Sequence, residues 1–143
     1  AHYDSPTEAF HAFYGDVFTV CPTQTWAAVS SEHMDVRTYL WTRHIEATPP
    51  PALWGAYHGV ELPFIFGTYQ DLLSEDEAAM GAYVREAWVS ASTGTPSAGG
   101  LEWPLYEPET NQWMVLDLIP ELQSEIRSAE LCEFLHENGW PDI

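Results

Sequence analysis

The clearest apolar and polar patterning in the chain begins at Ser74. Ser74-Glu75-Asp76-Glu77 has the Ser-x-x-Glu form of a capping box, with its carboxylates on the positive end of a helix dipole. Beyond it Met80, Tyr83, Val84, Ala87, Trp88 and Ala91 recur at spacings of three and four, which predicts a helix with one buried face. Residues 23–31 have helical composition behind Cys21-Pro22, a proline placement that suits a helix start. Residues 36–41 are rich in β-branched and aromatic side chains and read as a strand, and the apolar run 113–118 reads as a second. After Ile119-Pro120, Leu122, Ile126, Ala129 and Cys132 fall on one stripe with acids opposite, predicting a closing helix. Two Pro-, Ser-, Thr- and Gly-rich stretches, 48–51 and 92–100, read as surface connections, and no repeat interrupts the pattern.

Strand, loop, helix, strand, helix is an α/β order. Two strands are few beside the usual five or six of a sheet, so the chain reads as the edge of something larger.

Composition supports a packed core: 45% of the residues are hydrophobic, with seven Trp, seven Tyr and six Phe. The length of 143 residues is that of one ordinary domain. Charge narrows the partners. Twenty-two Asp and Glu face four Arg (Arg37, Arg43, Arg85, Arg127) and no Lys, a formal net charge of −18. Phosphate backbones and anionic membranes are bound through clustered Lys and Arg, so nucleic acid and acidic lipid are excluded as partners. Every apolar run is broken by Gly, Pro or charge well short of the 18 or more residues a membrane span needs. The chain opens Ala1-His2-Tyr3-Asp4, without Met or a basic and apolar leader, and is expected to be a processed chain.

Standard single-chain catalytic motifs are missing. Gly94-Thr95-Pro96-Ser97-Ala98-Gly99 has the wrong spacing for the Gly-x-Ser-x-Gly of a nucleophilic serine, and there is no HExxH, phosphate-binding Gly-rich loop or EF-hand spacing. Cys21 and Cys132 have no ligand neighbours at zinc spacing, which leaves either two buried thiols or a disulfide. His2, His11, His33, His44 and His136 lie in polar or end-of-element contexts. His58 is different: it sits in Trp54-Gly55-Ala56-Tyr57-His58-Gly59-Val60-Glu61-Leu62-Pro63-Phe64-Ile65-Phe66-Gly67, a glycine-bounded aromatic and aliphatic stretch. There an imidazole suits either a core position beside a tight turn or a general base with tautomer and pKa fixed by its neighbours.

The segment from Gly55 to Gly67 resembles the catalytic-histidine segment of type-B carboxylesterases, the cholinesterase and carboxylesterase family, whose pattern is His-Gly-x-Glu-(Leu or Ile)-x-Phe-(Val or Ile)-Phe-Gly. Asp16-Val17-Phe18-Thr19-Val20-Cys21-Pro22, Thr38-Tyr39-Leu40-Trp41, Ser92-Thr93-Gly94-Thr95-Pro96, Glu102-Trp103-Pro104-Leu105-Tyr106, Arg127 and Leu131-Cys132-Glu133-Phe134-Leu135 are similar to further signposts of that family, in order. Leu135 stands where the family usually has Trp. The resemblance covers nearly the whole chain and implies the C-terminal portion of an α/β-hydrolase fold.

What it implies about chemistry is specific. His58 would be the general base of a Ser-His-acid triad in a carboxylic ester hydrolase, with Gly59 beside it and Glu61 as a structural partner rather than the triad acid. Trp54 and Tyr57 are candidates for lining the pocket. The serine, the acid and the oxyanion-hole glycines would lie on a companion polypeptide, joined through an obligate interface on the order of 2,000 Å² or more. The resemblance pairs Cys21 with Cys132, which implies a secreted or periplasmic setting. No metal or organic cofactor is implied, and the ligand would be a small-molecule ester. The alternative is a catalytically silent cholinesterase-like binding or adhesion module. Between Val36 and Gln70 only Glu46 and Glu61 are acidic, so the acid load is expected on solvated faces elsewhere.

Overall fold

The computed structural model describes residues 5–47, 55–94, 96–124, 126 and 128–140. In chain order the elements are α1 (Pro6–Gly15), a π-helical turn (Asp16–Val20), α2 (Cys21–Ser31), β1 (Tyr39–Trp41) and α3 (Leu62–Phe66). A 3-10 turn (Gln70–Leu72), α4 (Glu75–Thr93), β2 (Ser97–Ala98), β3 (Leu101–Glu102), β4 (Trp113–Leu116), β5 (Glu121–Gln123) and α5 (Ala129–Glu137) follow. The chain divides into two compact units: the chain up to Thr38 with Leu105–Trp113 and everything from Gln123 on, and Tyr39–Pro104 with Met114–Leu122.

In the first unit, Ser5 caps α1 by accepting from the Glu8 amide at 3.1 Å, with Pro6 in the first turn and Glu8 against the dipole. The helical backbone does not stop at Gly15. It widens into the π turn, in which the Cys21 amide donates to the Asp16 carbonyl, and runs on as α2 to Ser31. The widening lies directly before Pro22, which has no N–H for the Phe18 carbonyl and whose ring would collide with it in a regular helix. Residues 23–31 are therefore helical as their composition predicts, but they extend a longer rod. Cys21, at the join, is bonded to Cys132 of α5, with Cα atoms 5.0 Å apart. Elsewhere in this unit Asn111 takes a left-handed backbone (φ 45°) and its Oδ1 accepts from Trp113 Nε1 at 2.9 Å and the Tyr106 hydroxyl at 3.2 Å. The Tyr106 amide in turn donates to the Val36 carbonyl at 2.8 Å.

The second unit is built on a parallel pair, with Tyr39, Leu40 and Trp41 opposite Met114, Val115 and Leu116 in a sheet ordered β1-β4-β5. All four β4 residues are buried, as suits a strand covered on both faces. Asp117 ends it by accepting from the Leu118 amide at 2.8 Å and the Thr42 hydroxyl at 2.7 Å. Among the described residues β1 is paired on one side only. The core comprises Ile45, Val60, Phe64, Met80, Val84, Ala87, Ala98, Trp103, Met114 and Leu116. Met80, Val84 and Ala87 come from the predicted face of α4, with Tyr83 and Trp88 half-buried and Ala91 exposed at its end. The capping box is present in both directions.

Two expectations are corrected. The closing helix does not begin after Pro120: Glu121–Gln123 joins the sheet as β5, Leu122 packs on the core, and only Ala129–Glu137 is helical. A three-residue strand is too short to display a period of two, so the four-residue spacing of Leu122 and Ile126 was a coincidence across a strand and a turn. Residues 92–100 are not simply a surface connection. α4 continues to Thr93, and residues 97–102 form a hairpin with Ser97 opposite Glu102 and Ala98 opposite Leu101. The hairpin turns on Gly99 and Gly100, both at positive φ. Ala98 is fully buried, and a Cβ on Gly99 would stand 2.8 Å from Pro120 Cγ, so glycine there is required by close approach as well as by backbone angle. Trp54, Arg127 and the 48–51 stretch lie outside the described residues.

Candidate active site

The segment around His58 folds as a series of tight turns between β1 and α4. Gly55 (φ 54°) and Gly59 (φ 90°) take left-handed angles that would strain any side chain. The Val60 amide donates to the Tyr57 carbonyl at 3.1 Å, and the Leu62 amide to the Gly59 carbonyl at 3.2 Å. His58 thus sits on a turn closed from both sides. α3 follows at once, with Pro63 in its first turn, and ends on Gly67 at φ 65° with the Thr68 amide donating to the Pro63 carbonyl.

Two apolar pegs fix this turn to the core. Val60 and Phe64 are 2% and 0% exposed, and the Phe64 ring lies 4.9 Å from that of Trp41 on β1. From α4, Arg85 Nη1 donates to the Phe64 carbonyl at 3.1 Å, satisfying an acceptor the end of α3 leaves open. The imidazole itself is exposed, beside an exposed Tyr57. His58 therefore does not take the core position that the sequence left open beside the role of general base. Glu61 is half-buried, and burial first and then the Glu61 carboxylate raise the Tyr39 phenol on β1 above its ordinary pKa. Tyr57, His58, Gly59 and Glu61 are brought together on one turn.

One feature of this unit escaped the sequence reading. Glu77, fully buried, is more than a capping residue: its Oε1 accepts from Arg43 Nε at 3.3 Å, Arg43 Nη2 at 3.2 Å and the Glu46 amide at 2.9 Å. Its Oε2 accepts from the Ser74 amide at 3.0 Å. Arg43 also pairs with exposed Glu46. The network ties the start of α4 to the chain leaving β1, so the two elements that flank the His58 segment are fastened to each other. A shallow cleft of about 400 Å³ lined by Glu46, Ala47, Asp71, Leu72, Leu73 and Ser74 lies beside this network and contains none of the predicted site residues. Among the described residues no group of His, Cys, Asp and Glu is arranged to hold a metal ion, and no helix is long and apolar enough to cross a membrane.

Comparison with known proteins agrees with the resemblance. The sequence model of the Carboxylesterase family matches residues 1–135. The chain is 29% identical over 126 residues to the para-nitrobenzyl esterase of Bacillus subtilis (strain 168), covering 82% of this chain and 25% of that protein. It is 28% identical over 111 residues to an acetylcholinesterase of Leptinotarsa decemlineata, covering 72% of this chain and 17% of that one. A solved structure of PNB esterase superposes with a TM-score of 0.73 at 27% identity, over 89% of this chain and 27% of that one. The chain thus spans about a quarter of the length of the Bacillus subtilis esterase and of the PNB esterase structure. It belongs to the Carboxylesterase family, and its fold is part of an α/β-hydrolase fold, consistent with the C-terminal portion.

Proposed function

We propose that this chain supplies the catalytic histidine, His58, of a carboxylic ester hydrolase whose nucleophilic serine and triad acid lie on a companion polypeptide outside these 143 residues. The observation that carries the reading is the His-Gly-Val-Glu-Leu-Pro-Phe-Ile-Phe-Gly segment folded so that the imidazole is exposed on a turn pinned to the core through Val60 and Phe64. A general base needs that combination of access and fixed position, because proton transfer takes place only within hydrogen-bond reach of the attacking group. His58 takes the proton from the serine hydroxyl as it attacks the ester carbonyl and returns it to the departing alkoxide; water then repeats the cycle on the acyl-enzyme.

Gly59 allows the chain to turn immediately behind the imidazole, and Glu61, whose charge acts on Tyr39, is a structural partner rather than the triad acid. Tyr57, exposed beside His58, lines the ester pocket. The substrate is a small-molecule ester, by analogy with the para-nitrobenzyl esterase and acetylcholinesterase relatives. The Cys21–Cys132 bond supports a secreted or periplasmic location, where such bonds persist.

The test is turnover of a para-nitrophenyl ester by the native protein together with fluorophosphonate labelling. The label goes to the companion polypeptide, and His58→Ala lowers kcat by about 10⁴- to 10⁶-fold while the assembly keeps its mass and circular dichroism. A variant that turned over within tenfold of the parent would refute the role of His58, and absence of any labelled serine would leave only the silent binding module.

A further inference from the structure

The rod from Pro6 to Ser31 departs from the rest of the chain in composition. Only Glu8 and Asp16 are acidic on it, Asp16 is buried, and none of its residues is Lys or Arg, although the whole chain holds 22 acids. In place of charge it carries Phe10, Phe13, Tyr14, Phe18 and Trp26, each more than half exposed. Phe10, Tyr14 and Phe18 follow at intervals of four and share one face. Their rings touch in succession, with centroids 6.2 Å and then 4.6 Å apart, and Phe18 meets Trp140 edge-on at 6.0 Å. Trp140 is fixed in turn by donating from Nε1 to the Val17 carbonyl at 3.3 Å.

The four rings are 62%, 55%, 54% and 42% exposed. They present on the order of 400 Å² of aromatic surface, a patch of the size that on a monomer is often functional. Aromatic enrichment with charge depletion is the compositional signature of an interface core. The rings are already held against one another, so little side-chain entropy remains to be lost on docking.

We propose that this ladder is a seat for the polypeptide that completes the hydrolase fold, which covers it with apolar side chains flanked by Arg or Lys. The proposal rests on the reading above that most of the domain lies outside this chain. Charge selects the occupant. A second copy would bring a further −18, and an anionic membrane would be repelled by the same field, whereas a partner with basic flanks is attracted and its cations can lie over the ring faces. The chain supplies between 15% and 27% of the length of its relatives, which leaves the remainder to provide that partner.

The experiment uses the native protein with its companion. Hydroxyl-radical footprinting read by mass spectrometry is expected to show Phe10, Tyr14, Phe18 and Trp140 at least about tenfold slower than exposed Met34 and Val89 after correction for intrinsic reactivity, as for rings in an interface core. Replacing Phe10 with p-benzoylphenylalanine and irradiating is expected to give cross-links to peptides of the companion. Rings as reactive as the controls, or cross-links only to a second copy of this chain, would overturn the proposal. These outcomes leave the assignment of His58 standing, since that is read separately from the His58→Ala turnover.

Discussion

Removing the Glu77 carboxylate should cost far more than the loss of a helix cap. A cap is worth about 1 kcal/mol, but Glu77 accepts from four donors: two on Arg43, the Glu46 amide and the Ser74 amide. In Glu77→Ala the Arg43 guanidinium, with a side chain only 12% exposed, keeps exposed Glu46 as its one acidic partner, and two backbone N–H groups lose their acceptor. Breaking a buried pair from one side costs about 3–5 kcal/mol, and that is the expected loss. Glu77→Gln keeps the shape and one acceptor oxygen and should cost about 1.5–3 kcal/mol, the worth of charged hydrogen bonds. The combination Glu77→Leu with Arg43→Met removes both charges but still strands the Glu46 and Ser74 amides, so it should recover only part of the loss. The assay is urea unfolding of the assembled protein followed by tryptophan fluorescence, with hydrogen exchange at the Glu46 and Ser74 amides. Glu77→Ala within 1 kcal/mol of the parent with both amides still protected would refute the reasoning.

Two further outcomes follow from other parts of the structure. The Cys21–Cys132 bond spans 111 residues, and in the chain-entropy model a loop of that length contributes about 5 kcal/mol; Cys21→Ser with Cys132→Ser should lower the urea midpoint accordingly, and an unchanged midpoint would contradict it. At high pH, burial and the neighbouring Asp117 raise the Tyr83 phenol, and burial also raises Tyr39 and Tyr106. The unfolded phenols ionise first, near 10.0, so stability is intact below that pH and falls as pH climbs through the raised folded values. Denaturation midpoints measured from pH 8 to 12 check this, and a flat profile would contradict it.

How legible an element was depended on where its apolar face points. α4 was plain because its spacing and capping box agree, and both describe a helix packed on a core. α1 was missed because its aromatic residues face outward and only Ala12 is buried, so no inward stripe marks it. The Ser5-Pro6-x-Glu8 start was the signal available for it. The strands were placed correctly but drawn too long, since pairing and not propensity ends them: Asp117 stops β4 at Leu116. The resemblance singled out His58, Gly59 and Glu61 as candidates, and they share one turn, while the bond between Arg43 and Glu77 joins residues 34 apart and has no local signature. Glu77 read in sequence as a capping residue alone.

The covalent link between α2 and α5 also bears on what happens if the backbone is cut. Because Cys21 and Cys132 enclose the His58 turn, α4 and both sheets, a single cleavage anywhere between them leaves two fragments still joined as one molecule. Exposed sites such as Gly94 or the turn at Glu107–Asn111 can be nicked without either piece diffusing away, and the fragments separate only under reduction. A protein exposed to proteases would thereby keep the His58 turn tethered to the rest of the chain after damage that would otherwise release it.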